Sequence, residues 1–155
     1  MNELHKMIKY KFIDKESRLY DSAIDLRYRE FYETSNRAKE AIFDEFEDNS
    51  LRVVAYIDDK VIGHARLFVH DNMGEITQVV VDHEYRGLQI GKKIMMKLIE
   101  KAKELKVKHI TLDARVYAID FYKKFGFETQ GEEYISLKTG MPIIKMVQQF
   151  NYEND

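Results

Sequence analysis

The chain has no cysteine, which removes disulfide frameworks, thiolate metal sites and thiol nucleophiles. It has a single proline, Pro142, and only seven glycines, most of them at turns, so little interrupts its periodic segments. A charge excess of one sign is also missing. The 25 basic and 27 acidic residues leave a net charge of −2, which argues against non-specific binding to nucleic acid or to a membrane surface. Long apolar runs are absent too. The start, "MNELHKMIKYKF", holds no stretch suited to a signal peptide, and no later run approaches a membrane span, so the expected compartment is cytoplasmic. The five histidines show no ligand spacing, and no metal site is expected. No repeat with a period of about 20–50 residues and no low-complexity segment divides the chain.

What is present is an ordinary globular composition, 45% apolar and 34% charged in 155 residues. A chain of this length buries about 70% of its unfolded surface, so one domain over residues 1–155 needs no metal or disulfide staple. "MIKYKFI" (7–13) alternates as a first strand. "ESRLYDSAIDLRYREFYE" (16–33) follows with Leu19, Ala23 and Leu26 on one helical face, and a second, shorter helix is expected over "AKEAIFDEFE" (38–47). Two alternating strands, 51–57 and 61–69, flank "DDK". After the turn "DNMG" (71–74), "EITQVVV" is the third strand of a meander. From Gln89 onward, Ile90, Ile94, Leu98, Ala102 and Leu105 keep helical spacing with lysines opposite. "HITLDA" reads as a strand and "AIDFYKKFG" as a short helix closed by Gly126. Two last strands surround "KTGMP". The order is β-α-α-β-β-β-α-β-α-β-β, a mixed sheet with helices packed on it.

The corner between the third meander strand and the long helix carries the most chemistry. The run 78–81 is apolar on both faces, as in a central strand covered on both sides. The helix after it leaves its first N–H groups without intrahelical partners, and with the helix dipole these make an anion site. Gly87 and Gly91 let the chain turn without a Cβ and let a ligand approach the backbone. Arg86 adds a positive charge at the mouth. Two readings fit these residues alone: a pyrophosphate cradle of backbone amides, or a plain strand-to-helix corner with one glycine for geometry. A Walker loop is excluded because no glycine-lysine-serine/threonine follows the four-residue spacer. A dinucleotide fingerprint is excluded because the glycines lie four apart and no βαβ unit with a downstream acidic residue fits.

The corner resembles the acetyl-coenzyme A motif of the GNAT superfamily of N-acetyltransferases, Arg/Gln-x-x-Gly-x-Gly/Ala after a "V-x-P-E-x" lead-in. Here the lead-in is "VDHEY" and the motif "RGLQIG". Arg86 and Gly91 match the outer positions, Gln89 replaces the central glycine, and His83 stands where proline is common. A second block, "LDARVYAIDFYKKFGFETQGEEY", resembles the family's later motif through Ala118, Phe121, Tyr122, Gly126 and Phe127, with Arg115 where asparagine is often found. The two blocks and the element order extend the resemblance over nearly the whole chain. The segments "IDLRYREFYE", "GHARLFV" and "GEEYISLKTGMPIIKM" look most like a small, uncharacterised bacterial subgroup, which brings no substrate with it.

The resemblance implies a mixed α/β (α+β) fold, a twisted sheet of about seven strands flanked by about four helices. It implies acetyl-coenzyme A as co-substrate, with no metal. Val79 and Val81 match the splayed strand whose backbone binds the pantetheine arm. The pyrophosphate would sit on the amides of Arg86, Gly87, Leu88, Gln89, Ile90, Gly91 and Lys92. If Gln89 needs φ > 0, its side chain costs of order 1 kcal/mol there. Tyr122 matches the family's general acid, against the plainer reading of a half-buried helix aromatic. Glu75 stands where some members carry a catalytic base, against that of a solvated edge carboxylate. His64, Arg66, Phe68 and His70 share a strand face that either lines the acceptor pocket or is solvated.

Acceptor specificity would come from Tyr28, Phe31, Tyr32 and Glu33, the loop "TSNRAKE", and the acidic "FDEFEDN". Those acidic residues either favour a cationic amine or form a charged face kept wet for solubility. The expected partner is a small-molecule primary amine, with neither nucleic acid nor membrane, and with room for a homodimer. A protein or peptide amine, or a coenzyme A-binding module without catalysis, are the alternatives.

Overall fold

A computed structural model describes residues 2–31 and 42–152. In chain order the elements are α1 (Asn2–Met7), β1 (Lys9–Ile13), α2 (Tyr20–Phe31), β2 (Leu51–Ile57), β3 (Lys60–His70), β4 (Met73–Val81), α3 (Ile90–Glu104), β5 (His109–Arg115), α4 (Ile119–Lys123), β6 (Glu128–Ile135) and β7 (Pro142–Gln149). The strands form one seven-stranded sheet in the order β1-β2-β3-β4-β5-β7-β6. All neighbours are antiparallel except β4 and β5, which run parallel because α3 crosses over between them.

The hairpins follow from their turn residues. His70 pairs with Met73 around Asp71 and Asn72, whose φ values of 49° and 65° suit the twist of a two-residue turn. The sheet then buries alternate residues on two faces. Val53, Ala55, Ala65 and Leu67 meet Ile94, Met95, Leu98 and Ala102 of α3 on one face. Val54, Val61 and Val80 meet Leu19, Ala23 and Leu26, from α2 and the turn before it, on the other. Each fully buried Leu or Ile contributes about 1.5–3 kcal/mol, so α3 is held chiefly by its apolar stripe. Gly63 sets how closely α3 lies: a Cβ there would be 2.7 Å from both Ile90 Cγ2 and Ile94 Cδ1.

The centre of the sheet is split. β4 and β5 pair only over Met73–Ile76 and His109–Leu112, so from Thr77 onward β4 has no partner on its β5 side. At the same point β4 bulges against β3. His64 pairs with Val80 and Arg66 with Thr77, leaving Gln78 and Val79 opposite Ala65 alone. Gln78 takes φ +52° to accommodate this.

Three expectations change. The first strand begins at Lys9, because residues up to Met7 form a helix that the alternation of 7–13 did not reveal. The helix expected over 38–47 lies partly outside the described residues. The part from Ile42 on holds no α-helix, and a 3-10 turn covers Glu47–Asn49; Asp44 and Glu47 turn inward to arginines rather than along a helix face. The run 78–81 belongs to a central strand but is not covered on both sides, since Gln78, Val79 and Val81 stay partly exposed where the sheet splits.

Candidate active site

The split opens a cleft of about 1370 Å³. Its wall along β4 runs from Glu75 through Val79 to Val81. The β4–α3 corner continues it with Arg86, Gly87 and Gln89, and the first turn of α3 with Ile90, Gly91 and Lys92. Phe121 and Tyr122 of α4 line it, as do Asp113 of β5 and Tyr134 of β6.

At the corner, Asp82 organises the chain. Its N–H donates to Ile62 O at 2.9 Å, and its side chain accepts from Glu84 N–H at 3.0 Å, so a 3-10 turn at His83–Tyr85 replaces the strand. Gly87 has φ +84° and open space where a Cβ would point. Gln89 sits at φ 60°, ψ 26° as the residue before α3, a left-handed conformation that a side chain makes costly. The first bond of the helix runs from Lys93 N–H to Gln89 O at 3.1 Å. The amides of Ile90, Gly91 and Lys92 therefore stand ahead of the hydrogen-bond ladder, at the positive end of a 15-residue helix. Gly91 is not a turn residue, contrary to expectation. It lies within the helix, where a Cβ would come 3.3 Å from Phe121 Cζ, so its value is close approach. The Leu88 side chain packs on the core, so its backbone amide is the group it would offer to a cradle.

Tyr122 is 8% exposed and packs edge-on against Phe121 and Phe127, yet it lines the cleft. Burial, with a smaller push from Tyr117 and against a pull from Arg115, raises its hydroxyl well above the ordinary 10, so it keeps its proton at any working pH. Glu75 is the third residue of β4 rather than its first, and it is half-buried. Burial raises its carboxyl, the Asp113 charge raises it further, and Lys138, Lys145 and Arg66 oppose both. Asp113 accepts a hydrogen bond from the Tyr134 hydroxyl at 2.7 Å.

The strand face of His64 and Arg66 is not solvated, since both are fully buried. Arg66 donates to both Asp44 oxygens at 2.9 and 2.8 Å, to Glu47 Oε1 at 2.7 Å and to Thr77 Oγ1 at 3.0 Å. Arg27, on α2, makes a bidentate pair with Glu47 at 2.9 and 2.6 Å. Glu47 also receives Tyr20 and faces Arg52 at 3.5 Å. The acidic "FDEFEDN" thus supplies neither a wet face nor free negative charge at Asp44 and Glu47, because arginines neutralise both. His70 alone of that face is well exposed. Phe31 and Glu30 reach the cleft from α2, while Tyr32, Glu33 and "TSNRAKE" lie outside the described residues.

His83, in the proline position of the motif, holds Glu30 Oε2 at 2.8 Å, which raises the His83 imidazole. Arg86 faces the other Glu30 oxygen at 3.8 Å. Glu30, Asp82 and His83 bring ligand-type atoms within 4.8 Å of one another. Arg29 at 3.7 Å and Lys60 at 4.0 Å already balance Asp82, as Arg86 does Glu30. Sequence reasoning missed Asp113, Tyr134, Arg27 and Gln78. The clues were a glutamine inside the apolar run "ITQVVV" and an arginine beside Leu26 on the apolar face of α2.

The cleft thus lies where the mixed sheet splits beside the N-terminus of α3, with aromatic side chains along it. The chain belongs to the acetyltransferase (GNAT) family, whose pattern matches residues 19–127. It is 28% identical over 135 residues to the uncharacterized N-acetyltransferase YjcF of Bacillus subtilis, covering 87% of this chain and 96% of that one. In fold it is similar to a putative N-acetyltransferase from Lactobacillus plantarum, with a TM-score of 0.80 at 23% identity over 92% of this chain and 97% of the other. It is also similar to a Bacillus subtilis acetyltransferase solved in complex with CoA, with a TM-score of 0.70 at 18% identity over 93% and 99%. Its chemistry is acyl transfer from acetyl-coenzyme A to an amine.

Proposed function

We propose that this N-acetyltransferase acetylates a primary amine of a small molecule by direct attack, with no acyl-enzyme. The observation that carries this reading is the walled cleft leading from the α3 N-terminus past Tyr122 to Glu75. Phe31, Phe46 and Arg66 wall it from one side and Tyr134 to Thr139 from the other, a concave shape suited to a compact acceptor.

The residues fit the co-substrate. Amides from Arg86 to Lys92, with the Arg86 and Lys92 charges, would hold its pyrophosphate. The unpaired backbone at Val79 and Val81 would run beside the pantetheine arm, and the N–H near Val81 would polarise the thioester oxygen. The acceptor nitrogen must be a free amine to attack. Glu75, its carboxyl raised toward neutrality, takes the proton lost by the ammonium, through a water chain. The amine lone pair then forms the C–N bond and the C–S bond breaks; Tyr122 gives its proton to the departing sulfur, and the proton shed by the acylated nitrogen returns to the Tyr122 oxygen.

Thermal unfolding with and without acetyl-coenzyme A tests the co-substrate seat. At about 100 times the dissociation constant a bound ligand adds roughly 2.7 kcal/mol, and no shift at millimolar concentration would refute the seat. An amine panel screened for a gain of about 42 Da on the acceptor then tests substrate class, and acetylation of peptides but of no small amine refutes the small-molecule reading. Tyr122→Phe should lower turnover about 10²-fold while acetyl-coenzyme A still stabilises the protein. Unchanged turnover would remove Tyr122 from the proton path.

A further inference from the structure

The bulge at Gln78 is held far more firmly than a surface irregularity requires. Gln78 has φ +52°, which L side chains rarely adopt, and the surrounding structure over-determines it. Its Oε1 accepts from Arg27 Nε at 2.7 Å, and its Nε2 donates to Ile42 O at 3.2 Å. Its carbonyl accepts from His64 Nδ1 at 2.9 Å. That bond assigns the proton to Nδ1 and leaves His64 Nε2 buried without a partner. The preceding residue is tied as well, Thr77 Oγ1 accepting from Arg66 Nε at 3.0 Å. Arg27, His64 and Arg66 are each fully buried, and both arginines are anchored on Glu47, so none of these clamps is free to move. An amide is the side chain this place demands, since it offers an acceptor to Arg27 and a donor to Ile42 at once.

The clamped segment lies where β4 leaves β5, and the next residues, Val79 to Val81, line the cleft. We propose that Gln78 is a positioning residue for acyl transfer: gripped by Arg27, the Ile42 carbonyl and His64, it fixes the β4 bulge that aligns the thioester carbonyl beside Val79–Val81. This rests on the reading that the split in the sheet seats the thioester arm. The clamp also ties α2 and the segment from Ile42 to Glu47, which reach the acceptor side, to the thioester side.

Two variants test it. Gln78→Gly removes the two side-chain bonds of the clamp, leaving only the His64 bond to the backbone carbonyl, and relaxes the positive φ; Gln78→Met keeps the length of the side chain but not its hydrogen bonds. The probe is acetyl-coenzyme A labelled at the carbonyl carbon, whose resonance reports polarisation of the thioester. Bound to the natural protein, the resonance should move downfield of its free position. In a folded variant most of that displacement should vanish, while the dissociation constant changes by less than about threefold. A merely structural role would lower the melting temperature and leave the resonance displaced. A variant that keeps the full displacement, a natural protein that binds without displacing it, or failure of both variants to fold would each overturn the proposal. If the natural protein does not bind acetyl-coenzyme A at all, the co-substrate seat itself is wrong, a result distinct from these.

Discussion

Replacing Glu47 with glutamine probes the buried charge network, and its effect can be worked out beforehand. Glu47 is 3% exposed and receives hydrogen bonds from Arg27, Arg66 and Tyr20. Burial opposes its ionisation, but hydrogen bonds and charge from Arg27, helped by Tyr20 and Arg66, outweigh burial and hold the carboxyl at about 2 against an ordinary 4.5. At about 1.4 kcal/mol per tenfold, that difference corresponds to about 3 kcal/mol of stability at neutral pH. Removing one partner of a buried ion pair costs about 3–5 kcal/mol by a separate route, which agrees in size. Because the folded carboxyl is the stronger acid, its contribution is complete above the unfolded value. It is lost as pH falls from about 4.5 toward about 2. Urea unfolding of Glu47→Gln should therefore show a loss of about 3 kcal/mol at neutral pH, or roughly 6–12 °C in melting temperature. The gap to the natural protein should shrink by roughly 2 kcal/mol on going to pH ~3. A gap of equal size at both pH values would refute the ionic account and leave only packing.

Asp113→Asn should move the acid limb of the kcat/KM profile to lower pH, because the Asp113 charge helps raise Glu75 and a base works only when deprotonated. A limb that stays in place removes Glu75 from that titration. Gly63→Ala should cost about 1–3 kcal/mol in chemical denaturation, since the new methyl would lie 2.7 Å from Ile90 and Ile94, and a neutral effect would show that α3 can shift away. Gly91→Ala, with its Cβ 3.3 Å from the Phe121 ring, should weaken acetyl-coenzyme A binding while changing stability by less than about 1 kcal/mol. Calorimetric titration would expose the opposite pattern.

The elements that were legible in advance are those whose signal lies in consecutive residues. Alternation marks β2, β3 and β4, and the stripe Ile90, Ile94, Leu98, Ala102 marks α3. The anion-ready corner follows from the order of a strand, a glycine turn and that helix. The short α1 escaped because it spans under two turns and carries no full apolar stripe. "FDEFEDN" was open to misreading for another reason: an acidic run looks alike whether it faces water or arginines. The arginines that settle Asp44 and Glu47 lie about twenty residues away in sequence, at separations of 22 and 20.

Sequence by itself determined the sheet's composition, the long helix, and the residue types available at the acyl-coenzyme A corner, because periodicity and turn chemistry act between near neighbours. The tertiary structure decided where the sheet splits and which residue bulges. It alone placed Asp113 beside Glu75, and it alone buried Arg27, His64 and Arg66 around Gln78. Arg27 and Gln78 are 51 residues apart, and only the closing of α2 over β4 brings them within hydrogen-bonding distance. A split strand is a property of which neighbours run out of pairing partners, and no single segment carries that information.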